Sequence, residues 1–487
     1  MKRIAAALLA VSSLGGCAAA QVPAPDAFEQ PVLTVRADGF ANLIYQLDCL
    51  ALPEVHCSRE ALRALWANGW SEADEGILQR WAAVVRSAAI DAPAEDEGGL
   101  HPLPHATPDA AEQLRVAGSL ASDAAAWKRR AAALLEPAQV EAGLGVLAHF
   151  HPRFAAWWQA HGAAAARDAA AALETALDDP ALARWVDELR RFYGAGAAEG
   201  FTLHLAVIPA EAQGPSYATQ LGDHALLEMR PGDRPASRLE VAIHELCHRF
   251  LAHAPPAARR EALASFVSVG DQRAMAAWAL LDEAVATAAG NGLGAALLYD
   301  EATRERRLAA PLYGDPAIDG AARAILTLVR EQIAAGGTVH DGAFLERYRA
   351  AVEAALGAQL DTPALQLRQV ALVRDPALRP HALRLFGLLR ASNGWEATLD
   401  EAPALLGRWR QLPAVVLFDP AEGDAMERVR ALVDDPTLTL APRTITLRHT
   451  AGGRPIHLLA TAPDGAAALV DRFVACAAAT APCAPPR

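Results

Sequence analysis

The segment His244-Glu245-Leu246-Cys247-His248 constrains the fold of this 487-residue chain most. On a helix, residues four positions apart project from the same side, so both imidazoles can bind one Zn²⁺ while the Glu accepts a proton from water. The apolar side chains in and around this segment fall on the opposite face of the helix: Leu239, Ile243, Leu246, Cys247 and Phe250. The pattern predicts a helix that is buried on one side and binds metal on the other, rather than a helix with two surface histidines.

A third metal ligand must come from another segment, because a catalytic zinc site takes three protein ligands and leaves one position for water. A second helix is predicted over residues 278–289, where apolar residues recur at helical spacing. Glu283 lies off this apolar stripe among small side chains, which allow the two helices to approach closely. Asp282 is the alternative third ligand, although it projects about 100° away from Glu283.

With this downstream Glu, the chain resembles the gluzincin class of zinc metallopeptidases. The third ligand of that class is the Glu of a Glu-x-x-Ala-like run, which Glu283-Ala284-Val285-Ala286 matches. The resemblance covers residues 200 to 320. It implies His244, His248 and Glu283 as zinc ligands and Glu245 as general base. Some members place an Asp four residues after the ligand Glu to orient a His ligand; this chain has Thr287 there, so that role is unassigned.

Hydrolysis also requires a hydrogen-bond donor for the oxyanion that develops on the substrate, commonly a Tyr, His or Arg. Tyr313, Tyr299 and His340 are candidates downstream of the second helix. Tyr313 is favoured because it lies in a turn-rich stretch shortly after that helix. The alternative for each is a structural role, as a partly buried aromatic residue or a surface His.

Alternating apolar residues predict short strands on both sides of the metal-binding segment. The strands are expected at residues 201–208, 217–221 and 225–229 before it, and at 414–418, 438–440, 444–449 and 456–460 after it. An edge strand of the first set would hold an extended substrate, as in gluzincin-like enzymes; alternatively, the strands only cover helices. The predicted fold is α+β and predominantly α-helical, with a small antiparallel sheet beside a zincin-like helix pair and a small α/β C-terminal domain.

The N-terminus has the pattern of an export signal, in which Lys2 and Arg3 precede an apolar run and small residues. Leu14-Gly15-Gly16-Cys17 resembles the lipobox of bacterial lipoproteins, which implies cleavage before Cys17 and lipid attachment to it. The protein is then expected in the bacterial cell envelope, as an outer-membrane lipoprotein that faces the periplasm. The alternative is an ordinary secretory signal with an incidental Cys.

Composition and motif positions divide the chain into five parts. They are a lipoprotein signal peptide (1–17), a tether (18–31), a helical N-terminal region (32–198), a zincin-like metallopeptidase unit (199–356) and the α/β C-terminal domain (357–487).

The remaining cysteines fit an exported protein. Cys49 with Cys57 and Cys476 with Cys483 are locally spaced pairs, which predict short disulfide loops in an oxidising compartment. Cys247 falls on the apolar side of its helix and is interpreted as a core residue. A formal net charge of −13 argues against nucleic acid as a partner, because the phosphate backbone would be repelled.

Together these features predict an exported zinc metallopeptidase with one zinc ion per chain and a peptide or protein substrate. The expected reaction is hydrolysis of a peptide bond by metal-activated water, with Glu245 as general base. Three alternatives remain open. They are a zinc hydrolase that acts on another bond, a non-catalytic envelope lipoprotein that binds a partner, and a structural zinc site closed by His224 or His253.

Overall fold

The computed structural model shows an α+β protein in which helices predominate, as the sequence predicts. The residues that it describes are 33–53, 55–67, 69–88, 110–196, 200–210, 212, 217–389, 391, 393–408, 410, 412–450 and 452–477. The predicted signal peptide, Cys17, the tether and Cys483 lie outside them, so lipid attachment and the pairing of Cys476 with Cys483 stay predictions. Within the described ranges, no helix combines the length and the apolarity needed to cross a bilayer.

The N-terminal region is helical after one short strand, β1 (Leu33–Arg36). Its helices are α1 (Gly39–Ala51), α2 (Arg59–Ala67), α3 (Glu72–Arg86), α4 (Ala110–Ser119), α5 (Ala124–Ala131), α6 (Pro137–Trp157), α7 (Ala163–Leu177) and α8 (Pro180–Phe192). A π-helical turn (Trp158–Gly162) joins α6 to α7. Large aromatic side chains such as Trp81 and Trp127 are buried among these helices. The predicted disulfide between Cys49 and Cys57 is confirmed.

Four strands form the sheet next to the helix that carries His244 and His248. They are β1, β2 (Phe201–Val207), β3 (Ala218–Leu221) and β4 (His224–Met229), in the order β1-β2-β4-β3. The β1–β2 and β2–β4 pairs are parallel, and β3–β4 is an antiparallel hairpin whose turn contains Gly222 at φ +60°. The prediction of an antiparallel sheet is therefore wrong, since the sheet is mixed. Alternating apolar residues predict strands but not their direction, and β1 comes from outside the predicted unit.

The helices that follow this sheet carry the candidate site. They are α9 (Pro235–Ala252), α10 (Pro256–Val267), α11 (Gln272–Ala286), α12 (Ala295–Leu298), α13 (Glu301–Ala309), α14 (Pro316–Ala334), α15 (Gly342–Leu356) and α16 (Pro363–Gln366). A π-helical segment (Thr287–Leu293) joins α11 to α12. The predicted apolar face of α9 is buried. One hydrophobic core joins the sheet to these helices and contains residues from Val35 to Leu365, on both sides of the predicted boundary at residue 198.

The C-terminal part is an α/β unit, as predicted. Its elements are β5 (Gln369–Arg374), α17 (Arg379–Leu388), β6 (Asn393–Thr398), α18 (Ala402–Arg408), β7 (Ala414–Phe418), α19 (Ala425–Val433), β8 (Thr444–His449), β9 (Pro455–Ala460) and α20 (Ala466–Ala477). The strand order is β6-β5-β7-β9-β8, with all pairs parallel except β8–β9. The predicted strand at 438–440 is wrong, because Leu438 and Leu440 contact the core without joining the sheet.

Candidate metal centre

The three predicted ligands meet between α9 and α11. The Nε2 atoms of His244 and His248 lie 3.0 Å apart. Of the Glu283 carboxylate, Oε2 lies 3.4 Å from His244 Nε2 and Oε1 lies 3.8 Å from His248 Nε2. One ligand atom from each residue can be chosen so that all three lie within 4.8 Å of one another. These side chains therefore form a group that can hold a metal ion.

A glycine allows the second helix to approach α9 closely. In the π-helical segment, a Cβ atom at Gly290 would lie 2.8 Å from the backbone nitrogen of His244, which is closer than carbon and nitrogen can pack. Ala286, Ala288 and Ala289 beside it are fully buried. Small side chains thus permit near contact of the two backbones, which brings the Glu283 carboxylate within reach of α9.

Each imidazole is oriented through its Nδ1 atom. His248 Nδ1 lies 2.7 Å from Oδ1 of Asp282, and His244 Nδ1 lies 2.9 Å from Oδ1 of Asn291. Carboxylate and amide oxygens accept hydrogen bonds, so both Nδ1 atoms donate and both rings direct Nε2 toward Glu283. Asp282, the alternative third ligand, therefore contacts the other nitrogen of His248.

The arrangement favours a positive charge between the two rings. Nitrogen lone pairs 3.0 Å apart repel each other unless a proton or a metal ion lies between them. Burial lowers the pKa of His248, but the carboxylates of Asp282 and Glu283 outweigh burial and raise that pKa to about 10. Two imidazole nitrogens and one carboxylate are a donor set that fits a divalent ion such as Zn²⁺.

Glu245 is buried next to the first ligand, with 6 % of its surface exposed. Burial raises the pKa of its carboxyl group, whereas His244 and His248 lower it and Glu283 raises it further. The net effect is a carboxyl that holds its proton more strongly than it would in water. Such a group is suited to accept a proton and give it back within one reaction cycle.

Of the three candidate oxyanion donors, the structure brings Tyr313 to the ligand group. Its ring stacks on His244 with ring centroids 5.7 Å apart. Its hydroxyl donates a hydrogen bond to Glu283, and the negative charge of that carboxylate, together with burial, raises the pKa of the phenol. The Tyr299 hydroxyl donates to Glu240, and His340 interacts with the backbone of Tyr193.

The two residues considered as a fourth ligand also have other contacts. His224 Nδ1 lies 3.1 Å from Nε2 of His204, and His253 Nε2 lies 3.0 Å from Oδ1 of Asp223. Among the described residues, the group that could hold a metal ion consists of His244, His248 and Glu283. Three protein ligands are the number that leaves a coordination position for water or substrate.

Cys247 lies on the buried face of α9, as predicted for a core residue. Burial raises the pKa of its thiol to about 12, so the thiolate that a nucleophile requires is disfavoured.

The residue that orients His244 was not identified from the sequence. Asn291 lies in Gly290-Asn291-Gly292, a composition typical of a turn. In the structure these residues continue the helix as a π-helical segment, which directs Asn291 toward His244. Single π-helical turns often occur at functional sites. Here the segment places the orienting residue later in the chain than Thr287, the position at which some gluzincin enzymes have an Asp.

Comparisons of the chain with protein-family models, with curated proteins and with solved structures found no match. The similarity to gluzincin enzymes therefore depends on the motif and on the third ligand. Any assignment of function depends on the arrangement of the side chains.

Proposed function

We propose that the chain is a zinc-dependent metallopeptidase of the bacterial cell envelope. The observation that carries the proposal is the convergence of two imidazole Nε2 atoms and the Glu283 carboxylate beside a second, buried glutamate, Glu245. This set of groups is typical of mononuclear zinc sites that hydrolyse peptide bonds. His224 and His253 have other contacts, which favours an open catalytic site over a closed structural one.

In this proposal His244, His248 and Glu283 hold one zinc ion. When bound, zinc would act as a Lewis acid that polarises the scissile carbonyl and makes water more acidic. Glu245 accepts a proton from the attacking water and returns it to the nitrogen of the leaving amine. The buried surroundings of Glu245 suit both transfers because they raise its pKa.

Tyr313 is the proposed donor to the oxyanion. Its hydroxyl lies at the ligand group and donates to Glu283. A substrate oxygen that gains negative charge in the transition state is a competing acceptor for the same hydroxyl. The stacking of the Tyr313 ring on His244 limits where this hydroxyl can point.

A sheet edge next to α9 supports a peptide as the substrate. Among the described strands, β3 is the last in the order β1-β2-β4-β3 and pairs with β4 on one side only. The metal-binding helix α9 packs against both of these strands. An extended peptide can add to such an edge through backbone hydrogen bonds, while side-chain pockets determine its sequence preference.

The proposal is tested by incubating a peptide library with the zinc-loaded wild type and with Glu245→Gln, and identifying products by mass spectrometry. The substitution removes the proton acceptor and keeps the three ligands. The variant is therefore expected to bind zinc like the wild type and to lose about 10²- to 10⁴-fold in turnover. Equal turnover in both proteins would remove Glu245 from the mechanism.

The matched control is Glu261→Gln, which changes an exposed carboxylate on α10 and is expected to retain full activity. If the zinc-loaded wild type cleaves no peptide but hydrolyses esters or other amides, the proposed activity would change from a peptidase to another zinc hydrolase.

A further inference from the structure

A buried carboxylate lies behind the residue that orients His244. Glu240 lies on α9, one turn before His244, and is 3 % exposed. Its Oε1 accepts a hydrogen bond from Nδ2 of Asn291 at 3.1 Å and another from Nε of Arg307 at 2.8 Å. Its Oε2 accepts from the Tyr299 hydroxyl at 2.9 Å. These contacts connect the metal centre to α13, which carries Arg307.

The carboxylate determines which way the Asn291 amide points. An ionised carboxylate has no hydrogen to donate, so the Asn291 group that faces Glu240 must be its NH₂. The amide oxygen is then turned toward His244, where it accepts from Nδ1. His244 Nδ1 therefore keeps its hydrogen, and Nε2 keeps the lone pair that a metal ion requires. The two hydrogen bonds thus run in one direction: His244 donates to Asn291, and Asn291 donates to Glu240.

Arg307 provides the positive charge that a buried carboxylate needs. Its guanidinium contacts both oxygens of Glu240, with Nε at 2.8 and 3.1 Å. Without this cation, Glu240 would be a desolvated charge stabilised only by neutral donors, which is unfavourable in a protein interior.

The same guanidinium also holds the segment that precedes Tyr313. It donates to the backbone oxygen of Pro311 at 2.7 Å and to that of Leu312 at 3.2 Å. The next residue, Tyr313, stacks on His244. A single arginine thus contacts both the support of a metal ligand and the backbone that positions the proposed oxyanion donor.

We propose that Glu240 and Arg307 are positioning residues of the metal centre, which fix the tautomer of His244 through Asn291 and the place of Tyr313 through the backbone of residues 311 and 312. The effect on metal affinity concerns the metal-binding group alone. The effect on turnover rests on the proposed peptidase function.

Zinc affinity of purified variants, measured by competition with a chromophoric chelator, tests the proposal without any peptide substrate. Glu240→Gln keeps the shape of the side chain, but its amide can donate as well as accept, so Asn291 is no longer held in one orientation. Arg307→Met removes the cation and keeps most of the volume. Each is expected to weaken zinc binding by about 10-fold, the lower end of the range for residues that support a metal ligand.

The matched control is Arg304→Met, which removes an arginine from the same helix one turn earlier. Arg304 lies 3.9 Å from Glu301, whose side chain is 81 % exposed, so zinc affinity is expected to stay within about 2-fold of the wild type. Arg307→Lys keeps the charge but not the planar fork, and an affinity between those of the wild type and Arg307→Met is expected.

Combination with Asn291→Ala separates positioning from a general loss of structure. If Arg307 acts through Asn291, Arg307→Met causes no further loss of zinc affinity in the Asn291→Ala background, whereas independent effects would multiply. Multiplied losses, or zinc affinity like that of the wild type in both Glu240→Gln and Arg307→Met, would overturn the proposal. If Arg307→Met fails to fold by circular dichroism, the near-isosteric Glu240→Gln decides. Absence of peptide cleavage would count against the peptidase function and leave this affinity pattern unaffected.

Discussion

The two imidazoles of the candidate metal centre are oriented by different kinds of residue. Asp282, which directly precedes the ligand Glu283, accepts from His248, while Asn291 in the π-helical segment accepts from His244. A carboxylate that accepts the hydrogen bond from Nδ1 makes the imidazole a stronger electron donor to a metal at Nε2 than an amide does. His244 thus depends on a neutral partner whose own orientation is set by a second carboxylate.

At the residue scale, Tyr313→Phe tests the proposed oxyanion donor. The phenyl ring can still stack on His244, but the hydroxyl is lost. We expect zinc binding to remain and kcat to fall about 10²- to 10³-fold, because one donor to the developing charge is missing. Steady-state kinetics on a peptide that the wild type cleaves measures this.

Tyr348→Phe is the control for loss of a buried hydroxyl. The Tyr348 hydroxyl donates to the backbone oxygen of Ala277, at 2.9 Å, in the core. Its removal is expected to lower stability by about 1 kcal/mol and to leave kcat unchanged. An unchanged kcat in Tyr313→Phe as well would assign the donor role to another group.

Spacing alone was sufficient to predict which residues of α9 lie on the face of the candidate metal centre. A helix repeats every 3.6 residues, so the positions of His244, Glu245 and His248 determine the face they share. Glu283 followed from its place beside an apolar stripe. Asn291 could not be predicted in the same way, because Gly-Asn-Gly favours a turn when only local preference is considered. Its position depends on the packing of two helices, which local sequence does not contain.

At the element scale, the π-helical segment depends on Gly290. Its would-be Cβ meets backbone atoms of His244, which cannot move aside as a flexible side chain does. Gly290→Ala is therefore expected to separate the segment from α9, to weaken zinc binding and to destabilise the fold by about 1–3 kcal/mol. Chelator competition and urea unfolding measure the two effects.

Gly145→Ala is the matched control for this prediction. Gly145 is an exposed residue of α6, and apart from its chain neighbours and the local helix backbone no described atom lies within 4 Å of a Cβ placed there. Alanine is expected to stabilise the helix at that position by about 0.5–1 kcal/mol. Stabilisation in both variants would show that α9 and the π-helical segment are not in the close contact described.

Six of the nine strand positions in the described part of the chain were predicted from the sequence, but most strand directions were not. Gly222-Asp223 between β3 and β4 is a dipeptide typical of a tight turn, and a tight turn can join only antiparallel neighbours, as β3 and β4 are. The β2–β4 pair is parallel, and its direction depends on the path of the chain between the strands rather than on their side chains. Three of these strands were missed, namely β1, β5 and β6. β1 is only four residues long, too short for a clear alternation, and β5 is buried along nearly its whole length, so it shows no alternation either.

At the scale of the whole molecule, the N-terminal region and the unit that carries the candidate metal centre are joined by a buried carboxylate. Glu228 of β4 is 1 % exposed and accepts hydrogen bonds from the Tyr45 hydroxyl at 2.5 Å and from the Ser58 hydroxyl at 2.6 Å. The backbone N–H of Tyr217, next to the edge strand β3, also donates to it. Residues separated by most of the N-terminal region thus share one hydrogen-bond network, which no local pattern in the sequence predicts.

The central claim is that side chains from two helices bind one metal ion and leave a coordination position open. The zinc content of the purified protein tests this claim directly. It is determined by elemental mass spectrometry after dialysis against trace zinc, and Glu283→Ala is measured beside the wild type. The account predicts about one zinc per wild-type chain and strongly reduced zinc in Glu283→Ala. Equal zinc in the two proteins, or none in the wild type, would contradict it.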